Sequence, residues 1–113
     1  MRGVDVPQSI MVVVLFRSRL TSAAGEDYSQ MAEEMLSTAK EMPGFVEFKS
    51  FTAEDGERLS VVWWQDHETM AAWRNHPRHR VAQHNGRDKW YENYKIEIAD
   101  VVRQTAFERK ISA

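Results

Sequence analysis

The spacing of apolar residues predicts an α+β domain, with a four-stranded antiparallel sheet carrying helices on one face. Three observations predict it. Four segments are apolar with strand-like alternation, a helical apolar stripe lies between the first and second, and a helix pair separates the third from the fourth. The order strand, helix, strand, strand, helix pair, strand is the split βαβ arrangement of ferredoxin-like folds.

Residues 1–9 contain Gly3, Asp5 and Pro7 without periodicity and read as an N-terminal arm. Ile10 to Leu20 reads as the first strand, β-branched and apolar through Phe16 and polar from Arg17. Met11, Val13 and Leu15 face one way and Val12, Val14 and Phe16 the other, so both faces call for cover. Thr21 to Gly25 is a connection, with Thr21 or Ser22 as helix cap. Tyr28, Met31, Ala32, Met35, Leu36, Ala39 and Met42 then form one stripe of an amphipathic helix. Glu26 and Asp27 suit its positive end, and Pro43-Gly44 stops it.

Phe45 to Thr52 and Arg58 to Gln65 read as a hairpin whose Asp55-Gly56 pair is a strong turn signal. Trp63 and Trp64 are adjacent and must point to opposite faces, so at most one faces the helices. Asp66 caps a short helix from His67 to about Asn75. Pro77 suits the first turn of the next helix, capped by Asn75 or His76 and running to about Lys89, with Gly86 a weak point. Trp90 to Arg103 alternates as the last strand, and Gln104 to Ala113 is a tail in which Phe107 is a candidate anchor.

At 113 residues the chain holds one domain, read over residues 10–103. With 15 Lys plus Arg against 17 Asp plus Glu, it lacks the strongly basic balance of a nucleic-acid binder. The absence of cysteine excludes disulfides, thiolate metal sites and cysteine nucleophiles. The longest apolar run, Ile10 to Phe16, is seven residues, too short to span a membrane, and residues 1–8 lack a signal-peptide core. A cytoplasmic protein with no membrane partner is expected. The glycines are isolated, so no phosphate-cradling loop is present, and no serine occupies a nucleophile elbow.

Helices on one face of a sheet leave the other bare. Exposing the valines and one tryptophan of that face forfeits about 25 cal/mol per Å2 of apolar area, and such a patch marks an interface. The expected answer is a homodimer in which two sheets face one another and pair into a dimeric α+β barrel.

Pro43-Gly44-Phe45 entering a hairpin, Val61-Val62-Trp63-Trp64, the run from Trp73 to Arg80, and Trp90-Tyr91-Glu92-Asn93-Tyr94 together make a recognisable set. Over Ile10 to Arg103 the chain resembles the antibiotic biosynthesis monooxygenase domain family of the dimeric α+β barrel superfamily, above all its small bacterial members. The resemblance implies either of two chemistries, with the ligand between sheet and helices. One is cofactor-independent oxygenation of an aromatic or quinol-like molecule, the substrate itself passing electrons to oxygen. The alternative is heme degradation, with a helical histidine on iron; apart from the resemblance, a non-catalytic ligand-binding module is a further reading. Trp73 matches the family's helical tryptophan. The heme-ligand position holds Gln83, with His84 one step on, about 100° around a helix; Arg17 or Ser18 stands where heme degraders have a first-strand asparagine.

Candidate site residues follow from chemistry. His79 is a candidate general base, because imidazole titrates near neutral pH and accepts a phenolic proton. Trp73 is a candidate aromatic wall, and Arg17 a candidate stabiliser of phenolate or superoxide-like charge. Trp63, Trp64, His76, His84, Tyr91 and Tyr94 are candidate ligand contacts. His76, His79 and His84 lie within nine residues, but Pro77 bends their geometry and no carboxylate completes a set, so no metal is expected.

Overall fold

A computed structural model describes residues 10–110; the arm read over residues 1–9 and the last three residues of the tail lie outside the described residues. The chain runs β1 (Val12–Leu20), α1 (Glu26–Lys40), β2 (Phe45–Thr52), β3 (Arg58–Trp64), α2 (His67–Arg74), α3 (Pro77–Asn85) and β4 (Tyr91–Asp100), with one π-helical turn, Gly86–Trp90, before β4. The sheet order is β2-β3-β1-β4, antiparallel throughout.

The four-stranded sheet with flanking helices is as expected, but the barrel is corrected. The sheet is open, with β2 and β4 as its two edges. Four strands twist without meeting, since closure takes about eight.

Register divides the sheet into two unlike faces. On the helix side, successive cross-strand rows are Phe45, Trp64 and Val12; then Phe48, Val62, Val14 and Ile98; then Ser50, Ser60, Phe16 and Ile96; then Thr52, Arg58, Ser18 and Tyr94. This face grades from apolar to polar along the strands. The opposite face carries Trp63, Val13 and Ala99 in one row and Val61, Leu15 and Glu97 in the next. The core sits at the apolar end, where Val12, Ala39, Trp64, Met70 and Trp73 are buried together.

Local chemistry fixes the junctions around that core. Asp66 caps α2 as expected, accepting the Thr69 N–H at 2.8 Å. Gly44 has φ +88°, and a Cβ there would lie 2.3 Å from the Thr69 side chain. Only glycine lets the α1–β2 turn press on this cap, and its carbonyl accepts the Gln65 N–H at 2.8 Å. At α1 the cap is Gly25, with no side-chain bond. Thr21, one of the two expected caps, instead donates its hydroxyl to the Lys89 carbonyl at 2.7 Å, tying the end of β1 to the π turn.

The last helix differs from the expected span. It ends at Asn85, and Gly86 to Trp90 widen into the π turn, so Trp90 belongs to the turn and β4 begins at Tyr91. Gly86 is required by a close approach: a Cβ there would meet the Tyr91 ring at 2.6 Å. β4 stops at Asp100 rather than Arg103, with one further bond from the Val101 N–H to the Met11 carbonyl. Beyond it the tail is irregular through Lys110, and Phe107 is 80% exposed within the chain.

Candidate active site

Between the helix-side face of the sheet and α1, α2, α3 and the π turn lies a cavity of about 720 Å3. That size suits a small organic ligand. The α1 stripe supplies one wall through Tyr28, Met31, Met35 and Leu36. The four sheet rows supply the floor, so the cavity inherits their gradient.

At the apolar end the rings pack in series. Phe45 meets Trp64 edge-on at 5.8 Å between centroids, Trp64 stacks on Trp73 at 6.4 Å, and Trp73 stacks on His79 at 4.4 Å with planes only 11° apart. His79 Nδ1 lies 3.1 Å from the Trp73 carbonyl oxygen. A carbonyl only accepts, so Nδ1 carries the proton and Nε2 keeps its lone pair. Burial pushes the His79 pKa below its ordinary value, only partly opposed by this hydrogen bond and reinforced by nearby His76. The imidazole is therefore neutral at physiological pH, with a free acceptor nitrogen.

At the other end a second aromatic group gathers. Tyr91 contacts Phe16 edge-on at 5.2 Å and Tyr28 at 6.1 Å, and Phe16 lies 5.6 Å from Tyr94. The Arg58 guanidinium stands 5.6 Å over the Tyr28 ring. Trp90 is 3% exposed and donates its indole N–H to Asp27 at 3.1 Å. Lys89 pairs with the same carboxylate at 2.9 Å. These two contacts, Lys89 the larger, hold the Asp27 pKa down at about 2. Burial and the neighbouring Tyr28 hydroxyl push the Tyr91 pKa well above the usual phenol value, so Tyr91 stays a donor.

The structure brings Trp64, Trp73, His79, Tyr91 and Tyr94 to the cavity lining. Trp64 is thus the tryptophan on the helix side, while Trp63 pairs with Val13 and Glu47 on the opposite face. Arg17 is also on that opposite face, bound to Glu57 through three contacts of 3.1–3.2 Å. His76 caps α3, its Nδ1 accepting the Arg78 N–H at 3.1 Å. His84 is exposed and outside the lining, where Gln83 stands instead. The site therefore does not fit a heme ligated through His84. Among the described residues no group of three or more His, Cys, Asp or Glu is placed to hold a metal ion. No helix among them is long and apolar enough to cross a membrane.

Several lining residues were not named as ligand contacts from sequence: Tyr28, Arg58, Ser18, Ser50 and Ser60. The serines had a detectable signal, because Ser18 shares strand parity with Val14 and Phe16, and a hydroxyl at a core parity marks a lined space rather than packed core.

Comparison with known proteins agrees with this architecture. The family described as antibiotic biosynthesis monooxygenase matches residues 11–85. The chain is 34% identical over 102 residues to the uncharacterized protein YqjZ of Bacillus subtilis strain 168, covering 90% of this chain and 89% of that one. It is 29% identical over 94 residues to a protein of Pyricularia oryzae named jasmonate monooxygenase ABM, covering 80% of this chain but 43% of that protein. Among solved structures, SnoaB, a cofactor-independent oxygenase from Streptomyces nogalater, superposes with a TM-score of 0.72 at 17% identity, over 88% of this chain and all of that one (100%). A putative antibiotic biosynthesis monooxygenase from Nitrosomonas europaea gives 0.72 at 14% identity, over 89% and 99%. The family match spans well over half the sequence, and the fold and cavity accord with it: the chain belongs to the antibiotic biosynthesis monooxygenase family.

Proposed function

We propose that the protein is a cofactor-independent oxygenase that takes an aromatic or quinol-like molecule into the cavity. The observation that carries this reading is the Trp73–His79 pair. One imidazole nitrogen is committed to the Trp73 carbonyl, leaving the other as a base beside stacked rings in a largely apolar space. In this role His79 takes a proton from an activated O–H or C–H of the substrate. The electron-rich anion then reduces oxygen: a CH2 and O2 become C=O and H2O, all four electrons coming from the substrate. Trp73 and Trp64 hold the plane of the ligand by offset stacking.

Oxygen uptake tests this with a panel of hydroxyanthrones and quinols, to which the Pyricularia relative's name adds jasmonate. Uptake is expected with at least one compound, and His79→Ala should slow it by about 100-fold or more, the usual weight of a general base. A flat trace across the panel, with no quenching of tryptophan fluorescence, overturns the reading.

We propose further that the protein works as a homodimer joined through the sheet face away from the helices. Val13, Leu15 and Trp63 there form an apolar strip flanked by Glu47, Lys49, Lys95 and Glu97, charges of both signs that suit a two-fold contact. Sedimentation should give a dimer at micromolar concentration and a monomer for Trp63→Glu. A monomeric wild-type protein refutes it.

A further inference from the structure

Two sets of arginines in this domain differ in their partners. Arg17, Arg19 and Arg78 each pair with a carboxylate, at 3.1, 2.9 and 2.6 Å. Arg58, Arg74 and Arg87 line the cavity, and among the described residues none of the three has a carboxylate partner. Among the described residues the only acid in the lining is Glu33. A cavity whose cations stand unneutralised attracts an anion.

Arg58 is the arginine supplied by the sheet itself. It occupies the most polar row of the floor, opposite Ser18 on β1 and Thr52 on β2, with Tyr94 beyond on β4. Its guanidinium lies over the Tyr28 ring, and Tyr28 in turn contacts Tyr91. Ser18 is 3% exposed, a small hydroxyl at the base of this group. Phenol, hydroxyl and guanidinium donors thus gather at one end, with no acceptor carboxylate among them.

We infer that this end is an oxyanion site, in which Arg58, Tyr28 and Tyr91 hold the carboxylate of a substrate whose apolar body lies on Trp64 and Trp73. The inference rests on the proposed use of the cavity for a small-molecule substrate, and it names the class: an elongated aromatic or alicyclic monocarboxylate. Trp64 and Arg58 are six residues apart on β3, about 20 Å of strand, which favours length with the charge at one end. A guanidinium offers forked donors to both carboxylate oxygens. Tyr91, kept protonated, adds a neutral donor that does not repel the anion. The same anchor would set the far end of the ligand against His79.

Calorimetric titration with biphenyl-4-carboxylate and its neutral match, biphenyl-4-carboxamide, tests the site. Wild-type protein should bind the acid about tenfold or more tightly than the amide, the size of one charge-assisted hydrogen bond. Arg58→Gln should erase that preference by weakening the acid far more than the amide, and Tyr91→Phe should narrow it. Arg80→Gln, which removes an exposed arginine of α3 outside the lining, controls for net charge and should keep it. Equal affinities in the wild type, or an undiminished preference in Arg58→Gln, overturn the oxyanion site while amide binding upholds the cavity as a ligand site. If neither compound binds, both readings fall.

Discussion

The cavity's two ends rest on one face of one sheet, yet they are built to opposite rules. Around Trp64 and Trp73 the side chains fill space against each other, and burial there reaches 1% exposure at Trp64. Around Ser18, Ser60 and Arg58 the sheet carries short hydroxyls and one guanidinium that lies over the Tyr28 ring. The first end carries stability and the second leaves room for recognition. A domain of this size has one core, so polar groups at inward strand positions are tolerable only where that core stops.

This division is open to attack by mutation. The largest expected effect is at the packed end: Trp64→Ala should cost about 3–5 kcal/mol in urea unfolding, because it removes the ring that joins Phe45 to Trp73. A loss under about 1 kcal/mol would place that site outside the range of buried large-to-small changes and break the comparison. Next is Gly86→Ala, whose new methyl meets the Tyr91 ring. Overpacking of this kind costs about 1–3 kcal/mol, and the displaced ring should also weaken ligand binding at the polar end, read as a rise in Kd.

Smaller effects follow from titration. Burial lowers the His79 pKa, so its basic form persists below the ordinary imidazole value. The acid limb of the pH–kcat/KM profile should lie below pH 6.5 and disappear in the residual activity of His79→Gln. A limb above that value would assign the base elsewhere. Protonating His79 is also harder in the folded than in the unfolded state, so stability should decline modestly as pH falls below about 6.5.

The smallest effect concerns the Asp27 latch. Its folded pKa is depressed, so its contribution is present above the ordinary carboxylate value of about 4. It is lost as pH falls through about 2. Melting temperatures should drop more steeply across that window for wild type than for Asp27→Asn.

Much of the frame was legible in the residues. Strand parity, the α1 stripe, the Asp66 cap and the Pro43-Gly44 stop depend on local chemistry, and each appears where periodicity put it. The site was legible in part. Alternation says that Trp63 and Trp64 oppose each other but does not say which is inside. On β3 the set Leu59, Val61 and Trp63 is wholly apolar, whereas Arg58, Ser60, Val62 and Trp64 is mixed, and the mixed set faces the helices. Burial preference alone therefore misleads where an inward face lines a hollow. Arg17 and Arg58 illustrate the same point, since both stand at a polar strand end and only tertiary position separates their surroundings. The barrel expectation treated the uncovered face as a reason for closure, but the order β2-β3-β1-β4 leaves both margins unjoined.

The widened turn from Gly86 to Trp90 holds one residue more than α-helical winding would use for the same bond span. It acts as a shim between α3 and β4. Deleting a single residue there would restore ordinary pitch and swing the indole by about 100°, while every strand pairing stayed in register. The contour of the chamber is thus set by the length of this one turn rather than by the strands beneath it.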